Sequence, residues 1–182
     1  ISFGGWILTP GVRFEDVDLK RENWGTPDRS LPASIRENSV SELLPGMGAL
    51  WSLNESTSLL IGANKGFSPP GNNTGDKAEE SWNYEFGVRF AGEQYTSEII
   101  AFVNDYDNIL GECTLANGCE EELQGDKTNG GKAKTQGVEI SVQGEFANNW
   151  PARFAYTYTE SEFLRSFESD NWGDVTMGDS IP

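Results

Sequence analysis

From Ser81 to Ala91 the chain alternates without a break. Trp82, Tyr84, Phe86, Val88 and Phe90 fall on one side of an extended strand, and Asn83, Glu85, Gly87 and Arg89 on the other. The same period of two runs through Gly137–Phe146, where Val138, Ile140, Val142 and Phe146 oppose Glu139, Ser141, Gln143 and Glu145. It recurs in Ala152–Thr159, where Phe154, Tyr156 and Tyr158 oppose Arg153, Ala155, Thr157 and Thr159. Near the start, Leu8, Pro10, Val12 and Phe14 oppose Thr9, Gly11, Arg13 and Glu15. Such strands have one aromatic face and one face carrying full charges. A sandwich core could bury those charges only at heavy desolvation cost.

Seven strands are predicted, at about 3–21, 39–53, 57–67, 80–91, 95–106, 135–146 and 151–165. In 39–53, Leu43, Met47, Ala49, Trp51 and Leu53 share a face opposite Gly46 and Gly48. The facing of 57–67 and 95–106 is ambiguous. Short turns fall at Asn54-Glu-Ser56, Gly92-Glu-Gln94 and Ala147-Asn-Asn-Trp150, and long polar loops at about 22–38, 68–79, 107–134 and 166–180. Long and short alternate strictly. In an up-and-down meander every long loop then lies at one end, the asymmetry of outer-membrane barrels. The expected fold is all-β: an antiparallel up-and-down meander of about seven to eight strands, part of a transmembrane barrel.

Composition agrees. Apolar residues are only 36% of 182, yet aromatics are 12% and glycines number 21. One-faced strands with aromatic membrane girdles have this mix. The net charge of −16 repels phosphate backbones, so no nucleic-acid partner is expected. The absence of His removes the usual catalytic dyads and triads, and no nucleophile, base and orienting group can be assembled, so no enzyme is expected. Cys113 and Cys119 close a short polar loop and fit a disulfide of an oxidising compartment. No run approaches the ~20 apolar residues of a spanning helix. No signal peptide is visible and residue 1 is Ile, which suggests a piece of a longer processed protein.

Several segments resemble the barrel of TonB-dependent siderophore receptors. Leu8-Thr-Pro-Gly-Val-Arg-Phe-Glu15 resembles the family's T-P-G-x-R-[YF]-E strand, and Asn64-Lys-Gly-Phe-Ser-Pro-Pro70 its S-x-G-F-x-P-P strand end. Glu79-Glu-Ser-Trp-Asn-Tyr-Glu-Phe-Gly-Val-Arg-Phe90 resembles P-E-x-S-x-x-Y-E-x-G-x-R, with Ala78 where the family usually has Pro. Ala101-Phe-Val-Asn-Asp-Tyr-Asp-Asn108 resembles F-x-x-D-Y-x-N, Gly137-Val-Glu139 resembles G-x-E, and Gly178-Asp-Ser-Ile-Pro182 resembles G-x-x-[IL]-P. The matches come in the family's order, and the long loop with the paired Cys is nearest to receptors of the ferric-dicitrate type.

The resemblance implies a barrel of about 22 strands, closed by an N-terminal plug and energised through TonB. Residues 1–182 would be a partial barrel domain without the plug. They would sit in the bacterial outer membrane with the long loops extracellular. Expected partners are the plug, the rest of the barrel, TonB through the plug, and lipid. No cofactor is expected, and the transported ligand would be a ferric siderophore or other iron chelate. The polar wall would face the plug through Arg13, Glu15, Glu85, Arg89, Glu139, Glu145 and Arg153, the arginines pairing with plug or neighbouring-strand carboxylates. Trp24, Arg29, Arg36 and Trp172 are the loop candidates for ligand contact.

Asp105-Tyr-Asp107 hints at calcium, but Ile109 and Leu110 break the EF-hand loop pattern. Gly130-Gly-Lys132 is not a phosphate loop, because Ala133 stands where Ser or Thr is required. The alternative readings are a passive porin-like or adhesin-like barrel and a soluble antiparallel β-sandwich binding module. The sandwich requires Trp82, Tyr84, Phe86 and Phe90 to be buried against a second sheet.

Overall fold

A computed structural model describes residues 1–25, 28–29, 32–71, 76–112, 127–129, 131–146, 150–169 and 173–181. Eight strands form one sheet: β1 (Ser2–Phe3), β2 (Trp6–Trp24), β3 (Pro32–Ser52), β4 (Thr57–Ser68), β5 (Glu79–Ala91), β6 (Tyr95–Asp107), β9 (Ala133–Phe146) and β10 (Trp150–Phe163). Every neighbouring pair is antiparallel and follows chain order, so the sheet is a meander. Two small hairpins stand outside it, β7 (Leu110–Glu112) with β8 (Lys127–Asn129) and β11 (Phe167–Ser169) with β12 (Gly173–Val175). The described residues contain no helix able to cross a membrane.

Three boundaries differ from the sequence expectation. The first strand breaks at Gly4 and Gly5, which take φ of 52° and 83°, a left-handed turn that glycine adopts without a Cβ clash. The predicted 22–38 loop is mostly strand: β2 runs to Trp24 and β3 begins at Pro32. Both faces of that stretch are largely polar, so hydrophobic periodicity gives no signal there although the ladder continues. The predicted 166–180 loop holds β11 and β12, after which Asp179–Ile181 bonds back onto Ser161–Phe163 of β10.

The turns at the other end are tight. Asn54 Oδ1 accepts from the backbone N–H groups of Ser56 and Thr57, both at 2.9 Å, an Asx turn that fixes the β3–β4 register. Gly92 N–H donates to the Tyr95 carbonyl at 2.9 Å across the β5–β6 turn. Residues 147–149 and the predicted Cys113–Cys119 bridge lie outside the described residues.

Register settles the two ambiguous strands. Ile61 pairs with Phe86, Phe86 with Ala101 and Ala101 with Val138, so Leu59, Ile61 and Ala63 of β4 and Ile99, Ala101 and Val103 of β6 join the aromatic face. Glycines gather on the opposite, polar face: Gly11, Gly46, Gly48, Gly62, Gly66, Gly87 and Gly137 all share it by parity. A Cβ at Gly46 would sit 3.2 Å from the Asn64 Cβ, and one at Gly87 3.1 Å from Ile100. Side chains that converge in this way mark the inner side of a curved sheet.

Candidate functional site: a membrane band and a polar wall

The aromatic face has no protein layer over it among the described residues. Phe86 is 53% exposed, Trp82 41% and Tyr84 45%, which excludes the burial that a sandwich requires. The exposed face is nonetheless continuous. By register Leu8, Ala49, Ile61, Phe86, Ala101, Val138 and Tyr158 form one row across all seven long strands. The row below it reads Trp6, Trp51, Leu59, Val88, Ile99, Ile140 and Tyr156. So large an exposed apolar surface needs a nonaqueous neighbour.

The upper limit of this band is oblique to the ladder. On β2 the last apolar residue before the charges is Phe14, with Asp16, Asp18, Lys20 and Glu22 beyond it. On β10 it is Tyr158, with Glu160 and Glu162 beyond, yet Tyr158 is level with Leu8, six residues below Phe14. The limit therefore descends about 20 Å across a sheet width of about 29 Å. That slope, about 35°, is the tilt of strands in a closed barrel. A horizontal slab of lipid crossing tilted strands draws such a diagonal.

Aromatic pairs lie at both limits of the band. Trp6 stacks on Trp51 at 5.0 Å and Phe90 on Tyr95 at 5.3 Å near the short turns, and Trp82 on Tyr84 at 6.2 Å towards the long connections. Above the band a line of ion pairs laces the strands together. The β3–β4 ladder ends at Gly46–Asn64, and just beyond it Lys65 Nζ reaches Glu42 at 2.9 Å and Glu80 at 2.7 Å. Glu80 faces Asp107 across β5–β6, and Asp107 is bound by Lys132 at 2.7 Å. Asp105 and Asp107 thus end a strand within this line.

The polar face carries the predicted wall residues. Arg13 pairs with Glu15 of its own strand at 2.9 Å, and Arg89 with Glu98 directly opposite on β6. Both arginines find carboxylates within the wall. Glu85 lies opposite Gly62, Glu139 between Ile100 and Thr157, Glu145 opposite Pro151, and Arg153 opposite Gln143. An apolar patch interrupts the polarity towards the short turns. Ile7, Leu50, Leu60 and Ile100, with Gly48 and Gly62 between them, line a shallow cavity of about 320 Å³.

The loop candidates are dispersed. Trp24 ends β2, 38% exposed, and Arg29 stands on the following connection with φ 51°. Arg36, expected in a loop, is a strand residue of β3 paired opposite Arg21. Trp172 lies outside the described residues. Sequence reading missed Arg21, Asn38 and Lys65. The parity of Glu15, Val17 and Leu19 carried on to Arg21 would have placed that arginine on the polar face. Lys20, on the opposite face, is held charged above its ordinary range by a hydrogen bond from Glu22 and by Glu37.

The connection after β10 folds over the polar face at the long end. Ala133, Phe163 and Val175 are buried together, with Phe167 edge-on to Phe163 at 5.4 Å and Tyr106, Ile109 and Ile181 around them. Leu164 N–H donates to the Lys132 carbonyl at 2.7 Å, pinning the fold-over. Asn38 Nδ2 likewise ties the β4–β5 connection to β3 through the carbonyls of Gly71 (3.0 Å) and Asp76 (3.1 Å).

A one-layer, tilted, antiparallel meander with an oblique apolar band outside and a charged, glycine-lined wall inside is a section of a transmembrane β-barrel. Residues 1–180 match the family model described as "TonB dependent receptor-like, beta-barrel". The chain belongs to the TonB-dependent receptor family, whose proteins are outer-membrane receptors rather than enzymes. An uncharacterized TonB-dependent receptor of Haemophilus influenzae is 25% identical over 170 residues, covering 88% of this chain and 46% of that protein. In fold, the siderophore receptor PiuA of Acinetobacter baumannii is similar with a TM-score of 0.75 at 20% identity, over 98% of this chain and 27% of that one. The FrpB iron transporter of Neisseria meningitidis (F5-1 variant) gives 0.70 at 18% identity, over 94% and 26%. The ferric yersiniabactin uptake receptor FyuA of Yersinia pestis gives 0.69 at 20%, over 97% and 26%. The chain thus spans less than half of the curated relative and about a quarter of these receptors.

Proposed function

We propose that this chain is part of the barrel wall of an outer-membrane receptor that takes up a ferric siderophore or another iron chelate, driven through TonB. The long connections face outward in this reading, and the polar face surrounds a plug domain. The oblique apolar band carries the membrane placement, since only tilted strands in a lipid slab need it. The apolar patch of Ile7, Leu50, Leu60 and Ile100 favours a plugged barrel over a passive pore. An open aqueous channel would leave that patch wet at a cost of about 25 cal/mol per Å², whereas a packed domain covers it. The titles of the similar structures, a siderophore receptor and iron transporters, support iron chelates as the ligand class.

The test is uptake of radiolabelled iron chelates by cells that carry the full receptor and lack their own. Uptake that stops when TonB is deleted or the inner-membrane proton gradient is collapsed is the expected result. Equal entry of unrelated small solutes without TonB would make the protein a passive pore.

A further inference from the structure

Two rungs of the β2–β3 hairpin bring like charges face to face on the polar side. Glu15 is opposite Glu42, and Arg21 is opposite Arg36. Directly opposed residues in an antiparallel pair hold their Cβ atoms about 5 Å apart, and like charges there are destabilising. The glutamate rung is relieved within the wall: Arg13 takes Glu15 at 2.9 Å and Lys65 takes Glu42 at 2.9 Å. The acids nearest the arginine rung in sequence serve another partner. Glu22 and Glu37 stand on the opposite face and bind Lys20, at 2.8 and 3.7 Å. Below the arginines the rungs are Val17 with Val40 and Leu19 with Asn38, so the half-buried guanidinium pair sits on a largely apolar base. The β4–β5 connection, tied down by Asn38, walls the rung at Gly71 and Asp76.

We propose that Arg21 and Arg36 clamp a carboxylate-bearing ferric chelate at the long-loop mouth of the barrel; this rests on the receptor reading above and names its ligand class. Two planar guanidiniums on adjacent strands offer two forks, each matching one carboxylate in a bidentate pair. A dicarboxylate presented by one chelate relieves the repulsion of the whole rung at once. With a net charge of −16 the chain exerts no long-range pull on an anion, so capture has to come from these short directional bonds. Acids on adjoining connections, Asp28 and Asp76, are the natural competitors for the forks when no ligand is held.

The full receptor, refolded in detergent, is titrated with iron(III) citrate and with a neutral iron(III) trihydroxamate, following quenching of tryptophan fluorescence. Heat-shifted electrophoretic mobility checks that each variant is folded. Arg21→Gln with Arg36→Gln is expected to weaken iron(III) citrate by about 100-fold, each charge-assisted contact contributing about tenfold or more, and to leave the trihydroxamate where it was. Arg21→Lys with Arg36→Lys keeps the charge without the forks and is expected to recover only part of the loss. Unchanged citrate affinity in the folded Gln pair overturns the clamp, as does an equal loss for both chelates. Binding of the trihydroxamate alone by the unsubstituted receptor overturns the clamp and leaves the receptor reading standing, whereas binding of neither chelate overturns both.

Discussion

The lower and upper halves of the β2–β3 hairpin share one ladder and live in different solvents. Below Phe14 and Leu43 the outward positions are Leu8, Pro10, Val12, Met47, Ala49 and Trp51, and nothing protein covers them. Above, the outward positions are Asp16, Asp18, Lys20, Glu22, Ser39, Ser41 and Glu37, linked by polar contacts such as Ser41 Oγ to Asp16 at 2.7 Å. Register is unbroken from Trp6–Trp51 to Asn23–Ser34, so the change is chemical and not geometric. Backbone hydrogen bonding extends a strand well past the ~10 residues a bilayer needs, and side chains alone record where lipid stops.

The difference can be broken most strongly at the band. Phe86→Arg, in the row shared with Ile61 and Ala101, is expected to cost about 2–4 kcal/mol in urea unfolding of the full receptor from lipid vesicles. An equal cost for Ser39→Arg, outward on the upper hairpin, would mean the two halves meet the same solvent. Gly137→Val comes next, at about 1–3 kcal/mol by the same assay. Its Cβ would run into the Tyr158 carbonyl and the Phe102 ring. Full tolerance there would refute close packing on the inner face.

Lys65→Met should cost about 1–2 kcal/mol, because it leaves Glu42 and Glu80 without their shared cation. Glu42→Gln combined with it should restore part of that loss, and failure to do so would show that the two residues are not coupled. The smallest effect belongs to Lys20→Ala. Fully exposed pairs contribute little, so the urea midpoint should stay within error. Lys20 titrates above its usual value of 10.5, so the pair is present at neutral pH and is lost only as pH rises past that raised value. A shift of the midpoint between pH 6 and 8 would have to come from other groups.

How far the fold could be read depended on whether a strand's two faces differ. Ser81–Ala91 and Ala152–Thr159 were legible because aromatics alternate with charges or small polar groups. In β4 and β6, Leu59-Leu-Ile61 and Ile99-Ile100 put aliphatics on both faces, and only pairing with Phe86 and Val138 assigned them. The upper hairpin was illegible for the opposite reason, polarity on both faces, so Arg36 was read as a loop residue and Arg21 passed unnoticed. Lys65 was hidden because its partners Glu42 and Glu80 are distant in sequence and meet it only where two strands diverge.

The sequence by itself determined the period, the sorting of long and short connections, and the family, because side-chain alternation and turn chemistry are local properties. Tertiary structure decided which residues share a row, how steeply the apolar band crosses the strands, and that Arg21 faces Arg36. Those are properties of register and stagger. They are fixed by hydrogen bonds between segments far apart in the chain, and no local pattern encodes them.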